Sequence, residues 1–245
     1  MLRFFRQLRQ RLIIESQFSR YLLYAIGEIL LVVIGILIAL QVNNWNDQRR
    51  DRLKSIEFHQ RMIDDLDLII KSSKGETDRA SEVTSSLSRS VEILERGSVN
   101  DSTREILDFA LNNYYQMVRL NTVLSSYDEM KSSGQISLIN SADLRKKISG
   151  YVSYHNAIAK IFDQLASKVN QATIMNRYIT TRVSAEMRDN SISYDFEDLA
   201  SDRELINTLS SFALHWQTKM YFSRSLVEQA EKLKEHIEYN LDNLR

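Results

Sequence analysis

Apolar and polar positions follow two different patterns along this chain. From Tyr21 to Val42 (YLLYAIGEILLVVIGILIALQV), 22 residues carry one formal charge, Glu28. At about 1.5 Å per residue an α-helix of that length is roughly 33 Å long, enough to cross a bilayer core of about 30 Å. After this run the pattern becomes a heptad. Ile56, His59, Ile63, Leu66, Ile70, Ser73, Thr77, Ala80, Thr84, Leu87, Val91 and Leu94 fall at alternating three- and four-residue steps, one seam of a left-handed supercoiled helix. The seam is apolar at its ends and small or polar in the middle. Gly75 lies in that middle, which is therefore expected to be the softest stretch.

Gly97 is expected to end this helix, and Ser102-x-x-Glu105 reads as a capping box opening the next. Residues 103–120 form a shorter predicted helix, and 124–133 another, stopped by Gly134. Asn140-Ser141 caps a second long heptad: Leu144, Ile148, Tyr151, His155, Ile158, Phe162, Leu165, Val169, Ala172, Asn176, Ile179 and Val183. That run predicts one nearly unbroken helix over 142–188. A polar break at 189–196 precedes a last long helix, with Leu205, Leu209, Phe212, Trp216, Met220, Val227, Ala230, Leu233, Ile237 and Leu241 inward. The expected fold is all-α: one N-terminal transmembrane helix, then an elongated antiparallel helical bundle with coiled-coil-like heptads and no β-sheet. The short 103–133 pair is placed where the first long helix ends, far from the membrane. The second long helix then runs back towards the bilayer and the third away again.

Composition sharpens this picture. The chain of 245 residues has no proline and only six glycines, so few positions oblige a helix to stop. No cysteine is present, which excludes thiol and disulfide chemistry. Lys+Arg and Asp+Glu balance at 32 each, so no global field draws the protein to nucleic acid. The organisation is a basic amphipathic tail (1–20), the span (21–42) and a helical-bundle domain (43–245). The apolar run exceeds the 7–15 residues usual for a signal peptide and no small-x-small site follows it, so an uncleaved anchor is expected.

Orientation rests on the tail. Five basic residues precede the span (Arg3, Arg6, Arg9, Arg11, Arg20), and five follow within twenty residues (Arg49, Arg50, Arg52, Lys54, Arg61). The local charge count is therefore a draw. Long domains translocate largely regardless of charge, whereas a short tail with five arginines does not cross readily. Leu2, Phe4, Phe5, Leu8 and Leu12 also form an apolar stripe suited to an anionic inner leaflet. The expectation is N-terminus in the cytoplasm, large domain periplasmic.

FFRQLRQRL followed by YAIGEILLVVIGILIALQVNNWN resembles the start of a family of uncharacterised bacterial membrane proteins classed as a domain of unknown function. Residues 126–151 (SYDEMKSSGQISLINSADLRKKISGY) are similar to that family's second hallmark. The resemblance covers about a third of the chain and implies a one-span inner-membrane protein of Gram-negative bacteria. It brings no activity, ligand or cofactor.

Glu28 is the first candidate for function, because an ionisable group in hydrocarbon is costly unless paired, hydrated or neutralised. Tyr21, Tyr24, Leu31, Gly35 and Ala39 share its helix face, and Gly35-x-x-x-Ala39 is a small-xxx-small pair that lets helices approach closely. Three readings compete: a protonated assembly element, an ion or proton site in a complex, and a snorkelling carboxylate without function. Asn43, Asn44 and Trp45 form a headgroup-level collar. Tyr127, Glu129, Lys131 and Gly134 are a candidate interaction tip at the distal end of the bundle; the plainer reading is a turn that needs Gly134 for positive φ and Arg145 to pair with an acid.

His59, His155 and Asn176 occupy seam positions, where polar residues more often fix register than bind ligands. A di-iron bundle would need Glu three residues before a His, and those places hold Ile56, Val152, Phe212 and Leu233. No H-E-x-x-H zinc motif, phosphate loop or nucleophile–base arrangement appears, so no cofactor, metal or catalysis is expected. The expected role is a membrane-anchored scaffold or sensor-like interaction module that oligomerises through its span. Its expected partners are the lipid bilayer and a second copy, with another membrane protein as the alternative. The competing class is a subunit of an ion- or proton-coupled complex using Glu28.

Overall fold

The computed structural model describes residues 18–120, 122–182 and 191–244. The tail stripe of Leu2, Phe4, Phe5, Leu8 and Leu12, and Val183 of the second heptad, lie outside the described residues. The chain divides into two compact units, Met1–Ser55 and Ile56–Arg245. A single helix, α1 (Phe18–Arg96), contributes to both.

In the first unit α1 is helical through the whole apolar run. Its most apolar stretch has a mean hydropathy of 2.7 and none of it is buried, so it is long and apolar enough to span a membrane. An uninterrupted helix is what such a run requires, since every backbone polar group is then satisfied within the segment.

Among the described residues the second unit consists of helices, the coil that joins them and one strand pair. After residues 56–96 of α1 come α2 (Asp101–Asn113), α3 (Ser125–Ser132), a 3-10 turn (Gln135–Leu138), α4 (Ala142–Asn170), α5 (Met175–Tyr178), β1 (Thr180–Arg182), β2 (Ser191–Ser193), α6 (Phe196–Ser201) and α7 (Arg203–Leu244). Gly97 (φ 67°) ends α1 and Gly134 (φ 71°) lies between α3 and the 3-10 turn, both in the left-handed region that glycine enters without a Cβ penalty. Ser141 caps α4 by accepting from Leu144 N. The capping box of α2 is built two residues earlier than expected: Asn100 Oδ1 accepts from Thr103 N, and Thr103 Oγ1 accepts from Asn100 N. Among the described residues Arg145 pairs with no acid; it donates to the carbonyls of Ile139 and Asn140 at the start of α4.

Two expectations about 142–188 fail. The helix stops at Asn170, and β1 pairs antiparallel with β2, Thr180 opposite Ser193 and Thr181 opposite Ile192. Ile179, Thr180 and Thr181 are consecutive β-branched residues, which favour extended backbone. Asn176, expected inward, is exposed. The absence of proline removed one helix breaker without obliging the helix to continue.

The seam of α1 is also rotated. His59, Leu66, Ser73, Ala80, Leu87 and Leu94 are buried as expected, but their companions are Ser55, Met62, Ile69, Val83 and Ser90. Ile56, Ile63, Ile70, Thr77, Thr84 and Val91 sit half-buried at its edge. In α4 the heptad is buried throughout, from Leu144 to Val169.

Helix directions are the reverse of those expected. Glu95 pairs with Arg203, Glu76 with Lys219, Lys74 with Glu231 and Asp67 with Lys234, so α7 runs antiparallel to α1. Leu144 and Ile148 pack in the same apolar core as Phe58–Ile69, whereas Phe162 and Val169 pack with Ala80–Leu94, so α4 runs parallel to α1. The cause is the strap, described over residues 114–120 and 122–124, which the sequence pattern assigns partly to a helix. Gln116 accepts from Arg79, Val118 is fastened next to Glu76, and Ser125 and Ser126 bind Asp65, so the chain walks back along α1. An extended chain advances up to about 3.3–3.6 Å per residue against 1.5 Å in a helix, so some ten residues span this stretch of α1.

Candidate functional site

The core of the second unit is not continuous. A large apolar core gathers Ala80–Leu94 of α1, α2, the second half of α4 and Leu205–Leu226 of α7. A small one gathers Phe58–Ile69 of α1, α3, Leu144–Tyr151 of α4 and Ala230–Ile237 of α7. Between them on α1 lie Ser73, Glu76 and Arg79, and on α4 His155; Lys219 and Ser223 of α7 join this polar layer from within the large-core stretch of that helix, with the strap beside it.

Lys219 is the centre of this layer and is 1% exposed. Its position follows from the phase of α7. Buried residues recur at Leu205, Leu209, Phe212, Trp216, Lys219, Ser223, Leu226 and Ala230, an unbroken heptad that carries a lysine and a serine through the middle. The sequence pattern places Met220 inward instead, and Met220 is half-buried. Lys219 Nζ donates to Val118 O at 2.8 Å and lies 2.5 Å from Glu76 Oε2. The latter is an ion pair rather than an aligned hydrogen bond. Nζ also sits 5.4 Å from the ring centroids of Phe162 and Trp216, so two aromatic faces share the charge. Burial pulls the ammonium below its ordinary pKa, and Glu76 offsets part of that.

The neighbours complete the arrangement. Trp216 Nε1 donates to Tyr114 O at 2.8 Å, and Tyr114 stacks on Phe212 with centroids 5.1 Å apart. His155 Nε2 is 3.2 Å from Thr122 Oγ1, and burial lowers the imidazole pKa. Arg79 donates to Gln116 Oε1 at 2.6 Å. Side chains of the layer thus hold the strap at Gln116, Val118 and Thr122, while Trp216 holds it at Tyr114 and Asp163 pairs with Arg119. Ser73 Oγ, Ser223 Oγ and Arg79 Nε are buried and have no hydrogen-bond partner among the described residues. A layer of this composition fixes register and separates two apolar bodies. Among the described residues no cluster of His, Asp and Glu could hold a metal.

The residues singled out by sequence fall elsewhere. Glu28, Tyr24, Gly35 and Ala39 lie on the uncovered part of α1 in the first unit, and a Cβ at Gly35 would meet nothing within 4 Å. Asn43, Asn44 and Trp45 are exposed one turn further on, where Asn43 donates to Asp47 at 3.1 Å. Tyr127, Glu129, Lys131 and Gly134 do sit together around α3, but α3 is not at the end of α1. It packs beside Arg61, which pairs with Glu129, and Asp65. Tyr127 is buried there, 8% exposed, while Glu129 and Lys131 face solvent. The strap delivers α3 to this place, which is why its position was not legible from the order of helices.

Asp65 is a further residue the sequence did not single out. Its carboxylate accepts from Ser126 N at 2.8 Å and from both Ser125 and Ser126 hydroxyls, capping α3 from a neighbouring helix. Replacing Asp65 by alanine should destabilise the unit by about 1–2 kcal/mol in urea unfolding, with Asp65→Asn retaining much of the loss. A change under a few tenths would show that the cap is dispensable.

These features define a class: an all-α protein with one helix able to span a membrane and a helical unit whose core is divided by a charged layer. The chain belongs to the Family of unknown function (DUF6090), whose profile matches residues 28–180. No curated protein and no solved structure matches it. The matched region begins at Glu28 and stops short of α7, so it includes Glu76 but not Lys219.

Proposed function

We propose that the protein is a single-pass anchor for a helical interaction module, without catalysis of its own, that self-associates through its span in the bacterial inner membrane. The tail lies in the cytoplasm and the Ile56–Arg245 unit in the periplasm. One observation carries this reading: the apolar stretch of α1 buries none of its surface against its own chain, yet holds a carboxylate on the face of Gly35 and Ala39. An uncovered acid in hydrocarbon is unfavourable by about 2.5–3.5 kcal/mol near the helix centre and less at shallower depth. Packing spans along the small residues gives a protonated Glu28 a partner oxygen or water.

Cross-linking in detergent micelles tests it. Gly35→Leu should weaken the oligomer by about 1–2 kcal/mol, while Val33→Leu on another face leaves it unchanged. A wild-type protein that remains monomeric, or an oligomer indifferent to Gly35→Leu, would sink the proposal. Glu28→Gln separates it from the ion-coupled reading: it keeps hydrogen bonding and removes the titration, so assembly survives and proton coupling does not.

A further inference from the structure

We propose that the Glu76–Lys219 layer is a joint at which the small core opens while the large core stays folded. Apolar contact gives a domain its cooperativity, and here it is interrupted on two of the three long helices: Ser73 and Glu76 separate the cores on α1 and His155 on α4, while Lys219 reaches Glu76 from the large-core side of α7. The layer is itself imperfectly satisfied, with Ser73 Oγ, Ser223 Oγ and Arg79 Nε buried and unpartnered among the described residues. Each such group costs free energy in the closed form that water restores on opening. Gly75, inside α1 at this level, has no neighbour within 4 Å of where a Cβ would stand, so its presence adds backbone freedom without serving close packing.

The sizes of the cores decide which one yields. Among the described residues the large core holds 23 buried apolar residues and the small one 14, so the small core is the less stable half. Its opening releases α3, the first turns of α4 and the last turns of α7 from Phe58–Ile69. Tyr127 and Met130, sealed in the closed form, then become available with Phe58 and Met62 as an apolar face. Of the segment that sequence marks as an interaction candidate, Tyr127 is in this way exposed only in the open form, whereas Glu129 and Lys131 face solvent in both.

Buried thiols introduced one at a time into the cysteine-free full chain, in detergent micelles, report the opening through their labelling by a thiol reagent. Met130→Cys in α3 and Ile69→Cys in α1 probe the small core, and Leu209→Cys in α7 probes the large one; all three native side chains are fully buried. The first two should label at equal rates, at least ~100-fold faster than the third, with a shallower dependence on urea. The double substitution Glu76→Leu with Lys219→Met, which makes the layer apolar, should bring all three to within about threefold of each other. Equal rates and urea slopes at the three sites in the otherwise unchanged chain would overturn the joint. So would fast labelling at Met130→Cys alone, which would mean that α3 frays by itself. Should the double variant fail to fold, the urea slopes of the three single-cysteine chains still decide.

Discussion

Lys219→Met should destabilise the Ile56–Arg245 unit by about 3–5 kcal/mol, because it leaves the Glu76 carboxylate in the core without its cation. Methionine preserves most of the stem that packs against Phe162 and Trp216, so lost packing contributes little to that figure. Val118 O loses its donor as well. Glu76 is 25% exposed at its side chain, which favours the lower part of the range. Adding Glu76→Leu should return stability to wild type or raise it, since a well-packed apolar pair often outperforms a buried ion pair by about 1–4 kcal/mol. Urea unfolding followed by Trp216 fluorescence, in a Trp45→Phe background that leaves one indole, measures both. A single-variant loss below about 1 kcal/mol, or a double variant no better than the single, would show that the pair is not the organising contact of the layer.

Trp216→Ala carries a comparable loss by a different route. Trp216 is fully buried in the large core next to the layer, and its indole N–H holds the start of the strap through Tyr114 O. Removing so large a side chain should cost about 3–5 kcal/mol in urea unfolding followed by circular dichroism. Trp216→Phe keeps a ring for the Lys219 charge and gives up the hydrogen bond, so its loss should be smaller, about 1–2 kcal/mol. If phenylalanine and alanine cost the same, the hydrogen bond and not the volume dominates. If phenylalanine costs nothing, the strap is not fastened through Tyr114.

Several features of the layer stood in the sequence in fragments. The polar middle of the first heptad named Ser73, and the second heptad placed His155 inward, both as found. Lys219 was missed because a lysine at a seam position runs against the usual exposure of the residue, and a step of four from Trp216 reaches the more apolar Met220. Holding strictly to alternating steps would have reached Lys219 and then Ser223. Nothing local marks Asp65 or Val118: one acts by capping a helix 60 residues away, the other through a backbone carbonyl that every residue possesses.

What the sequence by itself determined is local and periodic. Tyr21–Val42 must be helical wherever its surroundings are apolar, Gly97 and Gly134 end their elements through left-handed backbone, and the α4 heptad from Leu144 to Val169 defines the face that is buried. These depend on backbone hydrogen bonding, chirality and spacing, which act within a few residues. Tertiary structure alone decided the rotation of the α1 seam, the direction of α4 and α7, and the meeting of Glu76 with Lys219. The α1 seam turns because that helix packs on two neighbours, so its buried face is set by their joint position. Helix direction depended on whether the strap coils into a helix or runs back along α1. A heptad is equally well satisfied by a parallel or an antiparallel neighbour, so only the path of the strap separates the two.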